Sequence, residues 1–318
     1  MAAPSSQSPT RVRIVSGKGG VGKSAVACAW ALAEAQRGQR VLLAEISGQG
    51  SLPQLLQVDP VGYALREVLG GLYLIDLNPA AALHEYALML LRFEALYRLV
   101  FDNRLVRHFL RVVPSLSELV MLGKLWFHTQ EHTRGERPFD VLIIDAPATG
   151  HALALLRAPL TIMRAVPPGP LRDSTRLIWE MLTAANTQLH LVTTGEEMPV
   201  TEALSMHHAA TELGIRCGPM LLNQQVTPLP AAAAAALAAA PPELAPTARA
   251  TLARRQARQA QGEAELARLP AALRDAAISL PYVPDSPFRR AAIAQLADCL
   301  RPHLDRGPTG AERIGAAP

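Results

Sequence analysis

Cysteine is scarce: Cys28, Cys217 and Cys299 are the only three in 318 residues, and they lie far apart with no pair at metal-ligand spacing. That excludes a disulfide framework and a zinc knuckle and points to a reducing, cytoplasmic compartment. Long apolar runs are missing too. The longest uncharged one, Ala231–Ala240, has ten residues with proline on both sides, about half of what a membrane span requires. Lysine is equally scarce. Lys18, Lys23 and Lys124 are the only three, so arginine supplies 28 of the 31 basic residues. Arginines scattered through an alanine- and proline-rich chain of net charge +4 make a poor nucleic-acid footprint. No nucleic-acid partner is expected, and membrane contact only indirectly. A lysine kept against such a bias is the more informative residue.

What is present is a core. Apolar residues make up 49% and charged ones 18%, a balance that a disordered chain does not have. Near-continuous apolar runs of strand length occur at Arg11–Ser16, Val41–Ile46, Leu72–Leu77, Val141–Asp145, Leu189–Thr193, Met220–Asn223 and Ala277–Leu280. Most are separated by helical patterns, the first being Lys23–Arg37, which stops before Gly38. Strands of this kind belong in a mainly parallel sheet covered by helices on both faces, an α/β fold.

Residues 1–10 read as a loose tail, 11–302 as one domain, and 303–318 as a second tail broken by Gly307 and Pro308. Within the domain, residues 79–132 change character. Asn78-Pro79 is a good helix start, and seven of the 14 aromatic residues follow: Tyr86, Phe93, Tyr97, Phe101, Phe109, Trp126 and Phe127. This reads as a helical subdomain whose apolar circumference serves as core, as a dimer contact or as a surface for an apolar protein client. Residues 226–247, with five prolines and the alanine run, read as an irregular linker before an arginine-rich helix, Ala248–Leu269.

The chemistry concentrates in Gly17-Lys18-Gly19-Gly20-Val21-Gly22-Lys23-Ser24, which matches G-x-x-x-x-G-K-[ST] directly after a strand and before a helix. Glycines let the backbone turn several N–H groups toward phosphate oxygens, and the helix N-terminus adds its dipole. Lys23 then bridges the β- and γ-phosphates of a nucleotide, and the Ser24 hydroxyl holds Mg²⁺. The run Val141–Asp145 ends in a carboxylate at the carboxyl end of its strand, where Asp145 serves the same Mg²⁺. The following Ala146-Pro147-Ala148-Thr149-Gly150-His151 suits a segment that senses the γ-phosphate.

With lysine as its second residue, the loop resembles that of the deviant P-loop ATPases, among which the chain looks most like the arsenite-pump (ArsA) and tail-anchor-targeting (guided-entry) branch. Asp145–His151 followed by Leu153–Pro159 is similar to that branch's second switch, and Leu74–Tyr86 to its third strand and next helix. Glu196–Gln224, ending in Leu222-Asn223-Gln224, resembles the strand whose asparagine reads adenine. Ala253–Gln261 and Leu280–Pro284 resemble its late helix and final strand-loop. The resemblance implies a P-loop ATPase fold, with ATP and Mg²⁺ held by Gly17 through Ala25 and by Asn223. It also implies a homodimer, or a heterodimer with a related ATPase, in which Lys18 of each subunit reaches the other's nucleotide.

The chain departs from that branch at its first switch, where Ser47 stands at the position of the water-activating aspartate. A serine does not take a proton as a carboxylate does, so slow hydrolysis is expected. Glu45, two residues earlier, is either a strand-end carboxylate near the metal or a catalytic one. The zinc and arsenite cysteines of the branch are absent, the chain is a single half rather than a fused tandem, and the connection from Pro159 to Gln188 is short.

Overall fold

The computed structural model describes residues 9–46, 50–91, 115–130, 139–226, 228–239, 241, 243, 245–285 and 287–305. Ser47, the aromatics Phe93, Tyr97, Phe101 and Phe109, and the terminal segments 1–8 and 306–318 lie outside these, as does the side chain of Tyr86.

Eight strands form one sheet: β1 (Arg11–Gly17), β2 (Val41–Glu45), β3 (Arg66–Leu69), β4 (Leu72–Asp76), β5 (Val141–Ala148), β6 (Thr187–Thr193), β7 (Leu221–Gln225) and β8 (Ile278–Pro281). Their order is β3-β4-β2-β5-β1-β6-β7-β8, parallel throughout except for β3 on β4. All seven apolar runs are strands. β3 escaped sequence reading because Arg66-Glu67-Val68-Leu69 is short and starts with two charges, which is how an edge strand is kept from pairing further.

Alternation along the central strands splits the core into two layers. Val41, Leu43, Val141 and Ile143 face one side, under α1 (Lys23–Gln36). Leu42, Ala44, Leu142 and Ile144 face the other. That second side carries α4 (Leu116–Gln130), α5 (Thr149–Ala165), α6 (Pro170–Thr183) and α7 (Glu197–Glu212). Helix α1 is buried around most of its girth because Ala27, Cys28, Ala29, Ala31 and Ala33 are small enough for close approach to the sheet. The remaining helices are α2 (Ser51–Leu56), α3 (Pro79–Leu91), α8 (Ala231–Ala238), α9 (Ala245–Leu266), α10 (Ala271–Ala276) and α11 (Arg290–Leu300).

Two expectations need correction. The alanine run is not irregular linker: it forms α8, since alanine is the strongest helix former and Pro230 sits at the N-cap where its missing N–H costs nothing. The arginine-rich helix accordingly begins three residues early, at Ala245. Nor do the tails begin where composition changes. Thr10 is buried and donates to the Phe139 carbonyl at 2.7 Å, while Leu304 is 1% exposed and Asp305 pairs with Arg37 at 2.8 Å.

Behind β6 lies a buried imidazole. His190 packs with its ring centroid 4.4 Å from that of Trp30, and its Nδ1 donates to the Pro219 carbonyl at 3.1 Å. Burial, with Arg13 nearby, pushes its pKa down to about 3. The native state therefore stays neutral at a pH where the unfolded chain, with an ordinary value near 6.5, takes up a proton. The sign is destabilising as pH falls from about 6.5 toward 3. Relative to His190→Gln, the wild type should lose an additional ~1.4 kcal/mol per pH unit in denaturant titrations between pH 6 and 4. Parallel pH profiles for the two proteins would contradict it.

Candidate nucleotide site

The loop between β1 and α1 is set by two close approaches. A Cβ on Gly17 would lie 2.2 Å from the Val192 carbonyl oxygen of β6, and one on Gly22, whose φ is +88°, would lie 2.4 Å from Asn223 Nδ2. Only glycine fits either position. The chain thus leaves β1 against its neighbouring strand and turns sharply into α1, whose first residue is Lys23. Lys18, Gly19 and Gly20 sit at the surface of the turn. Lys23 Nζ reaches back across it and donates to the Lys18 carbonyl at 3.1 Å. Partial burial lowers the Lys23 pKa, against the pull of Asp145 and Glu202. Val21 is buried, while Ala25 on the first turn of α1 packs partly on the core.

Ser24 donates its hydroxyl to Asp145 Oδ2 at 2.7 Å, tying α1 to β5. Asp145 is 2% exposed, and its other oxygen, Oδ1, is buried without a hydrogen-bond partner. Burial pushes its pKa up to about 7, with Glu45 adding to the rise while Ser24 and Lys23 oppose it. A hydroxyl beside a buried, half-satisfied carboxylate is an oxygen pair that suits a small hard cation such as Mg²⁺. Among the described residues no cluster of three or more His, Cys, Asp or Glu offers an alternative metal site.

Glu45 lies directly across from Asp145 in register, with Asp76 of β4 on its other side. It is fully buried, and its Oε1 accepts from both the N–H and the hydroxyl of Ser51, at 3.2 and 3.1 Å. Glu45 therefore caps the first residue of α2 from below, and one carboxylate oxygen is committed to holding that turn. Asn223, at the end of β7, donates to the Val21 carbonyl at 2.8 Å, so the asparagine braces the loop from the far side. Beside it opens a cleft of about 690 Å³ lined by Lys18, Thr194, Glu196, Gln224, Arg258 and Gly262.

The feature that sequence reasoning missed is Glu202 on α7. Its Oε1 receives Lys18 Nζ at 2.5 Å, and its Oε2 receives the Thr149 hydroxyl at 2.7 Å. One carboxylate thus joins the loop lysine to the first residue of α5, and both bonds hold its pKa down. Nothing in the sequence marks a glutamate 184 residues away from its partner; only the packing of α7 against α5 and β1 brings it there.

Residues 10–167 match the family model of the anion-transporting ATPases (ArsA ATPase). The ATPase BagA of Mycobacterium tuberculosis is 28% identical over 229 residues, which cover 70% of this chain and 67% of that protein. The arsenical pump-driving ATPases of Acidiphilium multivorum and Escherichia coli are 29% and 27% identical over 157 residues, 45% of this chain and 24% of each pump protein. Residues 10–167 thus carry an ArsA-type P-loop ATPase domain.

Two consequences follow for ligand binding. Lys23→Ala should weaken ATP binding by about 100-fold (~3 kcal/mol) in calorimetry, with the melting temperature of the free protein unchanged. Because Asp145 must lose its proton to face a cation, the Mg²⁺-dependent gain in ATP affinity should rise about tenfold per pH unit up to about pH 7 and then level. Asp145→Asn should abolish that slope. A Mg²⁺ effect independent of pH in the wild type would remove Asp145 from the metal site.

Proposed function

We propose that this protein, through its ArsA-type ATPase domain, binds Mg²⁺-ATP at Gly17–Ala25 and works as a slow, dimeric nucleotide switch in the cytoplasm. The observation that carries the reading is the shared carboxylate of Glu202, which holds Lys18 of the loop and Thr149 of α5 at once. A phosphate group arriving beside Lys18 competes with Glu202 for the ammonium, so nucleotide binding loosens the start of α5 in the same event. Helix α5 packs on α4 and α6, so its displacement passes to those two helices as a rigid-body movement.

The reaction is attack of water on the γ-phosphate, with the leaving ADP held by the loop. Lys23 and the loop amides stabilise charge on the phosphate oxygens, and Lys18 adds a second ammonium, in the partner's site when the two subunits face each other. Ser24 and Asp145 would hold Mg²⁺, which would supply neutralisation of charge on the phosphates. The weak element is the base. Position 47 carries serine, and Glu45 spends an oxygen on Ser51. That engagement favours a second reading, an ATP-sensing subunit that hydrolyses poorly beside a related, catalytic ATPase. The partner is a second copy or such a homologue, and exposed Phe127 on α4 is suited to an apolar protein client.

Glu202→Gln should let Lys18 go and lower the ATP concentration needed for dimerisation, read by analytical ultracentrifugation. Lys18→Ala should still bind ATP but stay monomeric. Equal dimerisation of wild type, Glu202→Gln and Lys18→Ala would refute the switch. In single-turnover ATP decay, Ser47→Asp should accelerate hydrolysis, within the ~10²- to 10⁴-fold that a general base commonly supplies. No acceleration in either the isolated protein or its mixture with a homologue would place the base elsewhere.

A further inference from the structure

The third lysine stands apart from the nucleotide loop, in the wall of a cavity of about 350 Å³ between α3, α4 and α6. Leu119, Val120, Phe127 and Ile178 give the cavity an apolar wall, and Phe127, 45% exposed, stands at its rim. A linked set of polar side chains, Tyr63, Glu85 and Lys124, sits in that wall, with Ser174 and Thr175 beside Ile178. Lys124 Nζ donates to Glu85 Oε1 at 2.6 Å, and the Tyr63 hydroxyl donates to Glu85 Oε2. The ammonium also lies 5.6 Å from the centre of the Tyr63 ring. Both oxygens of Glu85 are thereby occupied, and its pKa is held down despite partial burial.

The accounting of donors is uneven. An ammonium carries three N–H groups, and among the described residues the only hydrogen bond recorded for Lys124 is the one to Glu85. Its side chain is 20% exposed and that of Glu85 49%, so the pair stands where the cavity meets solvent. Charge, by contrast, is already balanced, because Lys124 and Glu85 form a neutral pair. A carboxylate entering the apolar part of the cavity would bring an uncompensated charge beside the Glu85 carboxylate. An uncharged acceptor satisfies the spare donors without that penalty. The size lies at the low end of ligand pockets, with apolar walls and few polar groups, as such sites usually have.

We propose that this cavity binds a compact apolar molecule carrying one uncharged hydrogen-bond acceptor, such as an aromatic ketone or ester, with its carbonyl on Lys124. The site is separate from the nucleotide loop, and it places a small-molecule ligand in the helical layer that packs on α5.

The test uses the full chain with saturating ATP, so that the nucleotide cleft is filled, and the fluorescent ketone 6-propionyl-2-dimethylaminonaphthalene as probe. Binding should be saturable at one site per chain, with emission shifted to the blue. Lys124→Met should weaken the ketone about tenfold (~1.4 kcal/mol) and leave the carbonyl-free 2-dimethylaminonaphthalene within about twofold. Ser174→Trp, at an exposed position on the rim, should block both probes without touching the core. Absence of saturable binding to the wild type would overturn the proposal. So would equal losses for both probes in Lys124→Met, or tighter binding of the matching naphthoate anion than of the ketone.

Discussion

A carboxylate taken out of water demands partners, and the buried carboxyl of Asp145 does not have a full set. It sits within β5 in the middle of the sheet, directly after the apolar run Val141–Ile144, one oxygen on Ser24 and the other without a hydrogen-bond partner. Leaving such an oxygen unpaired costs on the order of 1–3 kcal/mol, and more if the group is charged. The fold tolerates this by letting the proton stay on up to about pH 7 in the free protein. Deposited in one place, then, are a hydroxyl, a carboxyl ready to lose its proton and the positive end of α1. The polar architecture around them is arranged to keep that position fixed: Asn223 braces the loop from β7, and the close approach of Gly17 to Val192 fixes it against β6.

Two further carboxylates suspend the moving parts from this fixed frame. Glu45 holds the N-terminus of α2 through Ser51, so the segment after β2 is anchored at its far end by the strand it leaves. Glu202 holds Lys18 and Thr149, so the loop and the start of α5 share one anchor. The Lys18–Glu202 pair is partly exposed on both sides, and such ion pairs are worth ~1 kcal/mol or less. It is therefore suited to being exchanged for a phosphate contact rather than to stabilising the fold, whose stability comes from the two apolar layers.

Much of this was legible in the residues. Continuous apolar runs revealed the parallel strands because strands covered on both faces need no polar positions, and the loop from Gly17 to Ser24 was readable because its residue pattern is contiguous, although the contacts that demand its glycines come from Val192 and Asn223. That Asp145 lies beside the loop was expected from the strand and the loop together; its hydrogen bond with Ser24 was not. Short or charged elements were not legible. β3 has four residues beginning with Arg66 and Glu67, and α8 was hidden by flanking prolines that act as its boundaries rather than as breakers. Glu202 was beyond reach for a different reason. Its role depends on the angle at which α7 crosses the sheet, and sequence periodicity reports which face of a helix is apolar but not which distant polar group that face meets. Glu45 shows the same limit in milder form: its position at a strand end was evident, its engagement with Ser51 was not.

The scarcity of lysine allows a direct measurement. A protein grown with lysine labelled at the side-chain carbon and nitrogen gives only three ammonium signals, from Lys18, Lys23 and Lys124, assignable by single Lys→Arg or Lys→Met substitutions. The central claim is that Mg²⁺-ATP takes Lys18 away from Glu202. On titration, the Lys18 and Lys23 signals should both shift and saturate together, while Lys124 stays in place; Glu202→Gln should move Lys18 toward its nucleotide-bound position before any ATP is added. A Lys18 signal that stays where it is while Lys23 saturates would contradict the account.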